Sequence, residues 1–136
     1  MGNRAIDGGA LRYGALARLI DQDHDIGAIR ARLGLPAGKT ALLVACPIDA
    51  EEAWLLVRGA LALAQGNDNV TLLFKFHYHT RLDDAVAPVA EATVPGRWRI
   101  FEAGLNELIL ACDCVISGAT SVPYEALALG RPSLVF

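Results

Sequence analysis

Charge is scarce in this chain. Only 20% of its 136 residues are charged, and the formal balance is −3 with neutral histidines. That excludes a general nucleic-acid binder, whose footprint is a basic patch. Cysteine is scarce as well, since Cys46, Cys112 and Cys114 are the three present and cannot make a disulfide framework. Cys112 and Cys114 flank Asp113, but no second Cys or His pair stands at zinc-like spacing, so buried free thiols and no metal are expected. No apolar run approaches the ~18–20 residues that span a bilayer, and the start lacks a signal-peptide pattern. A cytoplasmic location is expected, and peripheral attachment of a larger enzyme to a membrane surface is compatible with it. Internal repeats and low-complexity tracts are missing too.

Apolar residues are what the chain has in excess, at 54%. A sheet covered by helices on both faces explains this, because its strands read as continuous apolar runs. From Lys39 onward, strand-like and helix-like segments alternate. Strands are expected at Thr40–Ala45, Val70–Phe76, Trp98–Phe101, Cys114–Ile116 and Ser133–Phe136. Helices are expected at Ala50–Gln65, Arg81–Thr93, Asn106–Cys112 and Pro123–Leu129, with Asp49 as an N-cap and Gly66 as a stop for the first. Such alternation predicts an α/β fold: a Rossmann-like, three-layer parallel sheet of about five strands. Residues 1–38 carry helical patterns at Leu11–Ile20 and Ile26–Leu33 but no strand. They read as a linker with lead-in helices, and 39–136 as the domain proper. The apolar run that closes the sequence at Phe136 gives it the look of a piece cut from something longer.

The segment Cys114–Phe136 is the most informative. A short apolar run opens into Ser117-Gly118-Ala119-Thr120-Ser121, a helix with Glu125 in its first turn follows, and Gly130 and Pro132 end it. In a parallel sheet this puts a hydroxyl-rich loop and a helix start at a strand's carboxyl edge, where N–H groups and the helix dipole favour an anion. Glu125 stands close enough to accept hydrogen bonds from a sugar. The plainer reading makes Glu125 a dipole-favouring carboxylate and Thr120 or Ser121 a helix cap.

Over Lys39–Phe136 the chain resembles the C-terminal, donor-binding half of GT-B glycosyltransferases. It is most similar there to bacterial surface-polysaccharide and CDP-glycerol glycerophosphotransferase-like proteins. Arg30–Lys39 resembles the lead-in helix and turn, and Leu72–His77 the strand ending in a Lys-Pro-His-Pro-like motif, with Phe76 and Tyr78 in place of both prolines. Ile100–Leu105 resembles the loop whose main chain reads the donor base. Ser117–Pro132 is similar to the family's Ser-Ser/Thr-x-x-x-Glu-Ala-x-x-x-Gly-x-Pro pattern. Gly2–Asp7 looks like the interdomain linker, with Arg4 where proline is common.

The resemblance implies roles for particular residues. Glu125 would take the ribose hydroxyls, and Ser117, Gly118, Thr120 and Ser121 would form the phosphate loop. Phe101 and Ala103 would belong to the base-reading loop. His77 would face the donor phosphate or the acceptor side, with Lys75 as a nearby positive charge. His79 pairs with His77 at a spacing that also suits a surface pair. The partners implied are a nucleotide-activated donor, used as substrate with no further cofactor, and an N-terminal acceptor half that supplies the catalytic base. The catalytic residues are therefore not identified within this chain. Exposed edges and an uncovered interdomain face would favour a homodimer.

Three other readings stay open: a UDP-N-acetylglucosamine 2-epimerase-like domain, a non-catalytic nucleotide-binding subunit, and a domain that kept the fold and lost binding. Arg81, Asp83 and Asp84 read as a solvated helix start. Trp54 and Trp98 read as packing groups, and His24 as part of an exposed connector.

Overall fold

The computed structural model describes residues 13–79 and 98–136. The expected linker Gly2–Asp7, the first residues of the Leu11–Ile20 helix and the expected helix Arg81–Thr93 lie outside them. The elements are α1 (Gly14–Ile20), α2 (Ile26–Arg32), β1 (Thr40–Ala45), α3 (Ala50–Ala64) and β2 (Val70–Lys75), followed by β3 (Trp98–Ile100), α4 (Leu105–Ala111), β4 (Cys114–Ser117), α5 (Val122–Ala128) and β5 (Ser133–Val135).

All strand pairs are parallel, in the order β3-β2-β1-β4-β5. The expected α/β class, with helices on both faces of the sheet, is borne out. β1 shows why. Val44 and Cys46 join one buried cluster with α3, while Ala41, Leu43 and Ala45 join another with Leu108, Ile109 and Ala126 from α4 and α5. Successive strand residues point to opposite faces, so a central strand must be apolar throughout. α2 contributes Ile29 to the second cluster, and Leu33 and Leu35 just beyond it pack there as well.

The helix ends follow local chemistry. Asp49 accepts a hydrogen bond from the Glu52 N–H at 2.9 Å, and Glu51 and Glu52 favour the dipole in the first turn of α3. Ala53, Leu56, Val57, Ala60 and Ala64 then form the stripe that lies on the sheet. α5 carries Pro123 in its first turn and ends at Gly130, whose φ of 72° suits a residue without a Cβ. There Arg131 N–H reaches back to the Ala126 carbonyl at 2.8 Å and Gly130 N–H to Leu127 at 3.0 Å, a Schellman closure. It turns the chain directly into β5.

Several element ends shift by a residue from the sequence reading, and two details differ in kind. Ser117 ends β4 rather than opening the loop, since its register with Ala45 and Val135 continues the ladder. His24 is half-buried, not merely part of a connector, and its Nε2 lies 2.8 Å from the Leu19 carbonyl at the end of α1.

Candidate functional site

The strand order reverses between β1 and β4. The chain runs outward through β2 and β3, then returns to the far side of β1 for β4 and β5. In open parallel sheets, the crevice outside the carboxyl ends at such a reversal is where ligands bind. Register aligns Lys75, Ala45, Ser117 and Val135 at one level, and Phe101 follows Ile100, the register partner of Phe74. The residues just beyond this row form the rim. The candidate binding residues, from Lys75 and His77 through Phe101 and Ala103 to the 117–125 segment, lie in this row or beyond it, on one edge of the sheet.

On the β4 side, the loop is more self-contained than its sequence suggests. Ser117 is fully buried, and its hydroxyl has no partner among the described residues. Thr120 Oγ1 accepts from Val122 N–H at 3.3 Å, and Thr120 N–H donates to the Gly118 carbonyl at 2.9 Å. Thr120, not Ser121, therefore caps the start of α5 with its side chain. Ser121 stands at the N-cap position, but its hydroxyl donates to Glu125 Oε1 at 3.3 Å. With that one hydroxyl as its partner among the described residues, the half-buried Glu125 carboxylate keeps acceptor capacity for further donors. Gly118 has no positive φ, and an added Cβ would meet Pro47 at 3.7 Å, an ordinary contact. Local packing does not demand glycine there.

On the β2–β3 side, Lys75 Nζ donates to the carbonyls of Phe101 at 3.3 Å and Glu102 at 3.2 Å. Phe101 N–H also donates to the Phe74 carbonyl at 2.9 Å, while Phe101 and Ala103 pack against the core beneath. The ammonium expected as a positive charge near His77 thus also holds the loop after β3. His77, half-buried, stacks on Tyr78 at 4.4 Å, and its Nδ1 accepts from His79 N–H at 3.3 Å. Among the described residues, no group of three or more metal-ligating side chains gathers anywhere. The loop after β3 and the loop after β4 are three strand spacings apart, roughly 14 Å. Reaching both takes an extended ligand.

A second feature escaped the sequence reading. A cavity of about 460 Å³ lies against α3, lined by Pro47, Leu55, Gly59, Leu63, Gly118 and Phe136 among others, with Glu52 its charged member. Lys75, His77 and Glu125 are not among its lining residues. Leu55 and Leu63 stand off the buried stripe of α3, each 58% exposed, and that departure was the available signal. Trp54 on the same helix is half-buried, with the Arg58 guanidinium 4.5 Å from its ring centre.

No family model and no curated protein matches the chain in sequence. Solved structures do match in fold. A variant of the wall teichoic acid polymerase TagF aligns with a TM-score of 0.64 and 22% identity, over 94% of this chain and 32% of that one. A TagF structure soaked with CDPG gives 0.61 and 23%, over 94% and 30%. The structure described for EarP-mediated arginine glycosylation of translation elongation factor EF-P gives 0.52 and 19%, over 96% and 47%. These are GT-B glycosyltransferases, so the likeness drawn from the sequence holds at the level of the fold. The chain spans about a third of the TagF chains and under half of the EarP-related one.

Proposed function

We propose that this chain is the nucleotide-donor-binding half of a GT-B-type transferase that moves a sugar or polyol phosphate onto a surface glycan. The observation that carries the reading is the position of Glu125 and its loop at the carboxyl edge, beside the strand-order reversal. A carboxylate there suits a vicinal diol, and the Gly118–Ser121 backbone suits the adjoining phosphates. The fold shared with TagF and EarP supports the transferase class by analogy. The roughly 14 Å between the two loops fits a ligand with a base at one end and phosphate at the other.

In this reading Glu125 takes the ribose hydroxyls and the loop after β3 takes the base. Leaving-group charge would be stabilised by positive groups and N–H donors in a cleft closed by an acceptor half. The reacting base would come from that partner half. The isolated chain should therefore bind nucleotide weakly and turn nothing over.

The test is a titration of the chain with UDP, CDP, CMP and GDP followed by amide NMR. Shifts confined to Ser117–Glu125 and to the 101–105 loop, selective for one base and lost in Glu125→Ala, are expected. Shifts scattered elsewhere, or none at millimolar nucleotide, would remove donor binding from this chain.

A further inference from the structure

We infer that Lys75 is a positioning residue for nucleobase selection rather than a phosphate ligand. The inference rests on the donor-binding reading above and deepens it. Sheet pairing ends at Phe101, whose N–H makes the last bond to β2 through the Phe74 carbonyl. The next two carbonyls, of Phe101 and Glu102, would have no partner in a ladder. Lys75 Nζ takes both, at 3.3 and 3.2 Å. Bonds to an ammonium are stronger than neutral ones, and two consecutive carbonyls held by one atom fix the peptide planes between them.

That geometry has a consequence on the opposite side of the loop. The described peptides are all trans, so each carbonyl points opposite to the N–H of the following residue. With both carbonyls turned to Lys75, the N–H groups of Glu102 and Ala103 turn away from it. Neither makes a backbone hydrogen bond among the described residues. Phe101 and Ala103 are anchored below by the core, while Glu102 is exposed. The result is a pair of adjacent, pre-aimed main-chain donors at the carboxyl edge, suited to the acceptor atoms of a planar base. A Lys with two of its three donors engaged this way is a poor candidate for direct phosphate contact.

The test compares the full chain with its Lys75→Met and Lys75→Arg variants by amide NMR. Without nucleotide, Lys75→Met should shift the Glu102, Ala103 and Gly104 amides. It should also lower their order parameters from the rigid ~0.85 toward ~0.6. Lys75→Arg keeps the donors and should stay near the parent. In titrations with uridine, UDP, CDP and GDP, Lys75→Met should shrink the affinity ratio between the best and worst base about tenfold, the equivalent of one hydrogen bond to a charged group. Uridine and UDP should lose affinity equally. Loop amides that stay rigid in Lys75→Met would overturn the inference. So would a loss seen with UDP but not uridine, because that marks a phosphate ligand. A parent chain that binds none of these ligands would instead sink the donor-binding reading, and this inference with it.

Discussion

At the amino edge of the sheet, an arginine and an aspartate tie three elements together; at the carboxyl edge, Glu125 and the loop after β3 keep acceptor and donor capacity. Asp113 Oδ2 accepts from Ala41 N–H at 2.7 Å and from Arg30 Nη1 at 3.2 Å. Arg30 in turn donates to the Lys39 carbonyl at 2.6 Å and to Ala111 at 3.3 Å. One arginine and one aspartate thereby join α2, the start of β1 and the turn into β4. Across the sheet, Glu125 holds one hydroxyl at 3.3 Å, and Glu102 and Ala103 leave N–H groups unpaired among the described residues. On the donor-binding proposal, the first set of bonds serves stability and the second set of groups serves binding. Substitutions on the two edges should therefore move different observables.

The largest effect on stability is expected from Asp113→Ala. It strips Ala41 N–H of its partner and leaves Arg30 with carbonyls alone. Asp113 is 46% exposed, so solvent screens the ion pair, and the loss comes mostly from the 2.7 Å backbone bond. About 1–2 kcal/mol should be lost in urea denaturation, with nucleotide shifts at Ser117–Glu125 unchanged. Next comes Glu125→Ala, with the reverse pattern. Its bond to Ser121 is long and partly solvated, so unfolding free energy should change by less than ~1 kcal/mol, while nucleotide affinity falls about tenfold or more. A Glu125→Ala chain that unfolds as readily as Asp113→Ala would break the comparison, and would return Glu125 to the role of a helix-start carboxylate.

The sheet was legible because its central strands are apolar on both faces, and β1 and β2 could be read to within a residue. α3 was legible from Asp49, Gly66 and the helical spacing of Trp54, Leu55, Val57, Leu61 and Ala64, although of these five only Val57 and Ala64 belong to its buried stripe. At the ends of elements the reading slipped. Ser117 looks like a loop residue by composition, yet the β4 ladder continues through it, a long-range fact with no local signal. The candidate residues were legible as positions on one edge of the sheet but not as a set of bonds. Nothing in Leu-Leu-Phe-Lys-Phe-His says that the Lys75 ammonium meets carbonyls 26 and 27 residues away. Nor does the sequence show that Thr120 caps α5 while Ser121 turns to Glu125, because both hydroxyls suit either task. Strand order was inaccessible for the same reason, and with it the reversal that marks the crevice.

Gly118→Ala sharpens the contrast with a smaller effect. With an ordinary φ and only a 3.7 Å contact to Pro47, the added methyl should leave stability unchanged or raise it by ~0.4–1 kcal/mol. If the rim accepts phosphate against the Gly118 backbone, affinity should drop severalfold at the same time. Affinity equal to the parent's would show that the ligand does not approach this backbone.

The two buried thiols, one near each edge, extend the comparison to pH. Cys46 follows β1 at the carboxyl edge and Cys112 precedes β4 at the amino edge; burial pushes each from an ordinary 9.0 to about 12. Below pH 9 both thiols keep their protons whether the chain is folded or unfolded, so they add no pH dependence. Between 9 and about 12 the unfolded chain releases those protons and the folded one retains them, so stability falls as pH rises. Urea midpoints measured from pH 8 to 11 should fall less steeply in Cys46→Ala and Cys112→Ala than in the parent. At pH 8 both thiols should resist iodoacetamide, while the less buried Cys114 reacts first. If Cys46 is alkylated ahead of Cys112, the carboxyl edge opens locally without global unfolding. That is the behaviour expected of the edge to which donor binding is proposed, and saturating nucleotide should then slow the reaction at Cys46 and not at Cys112.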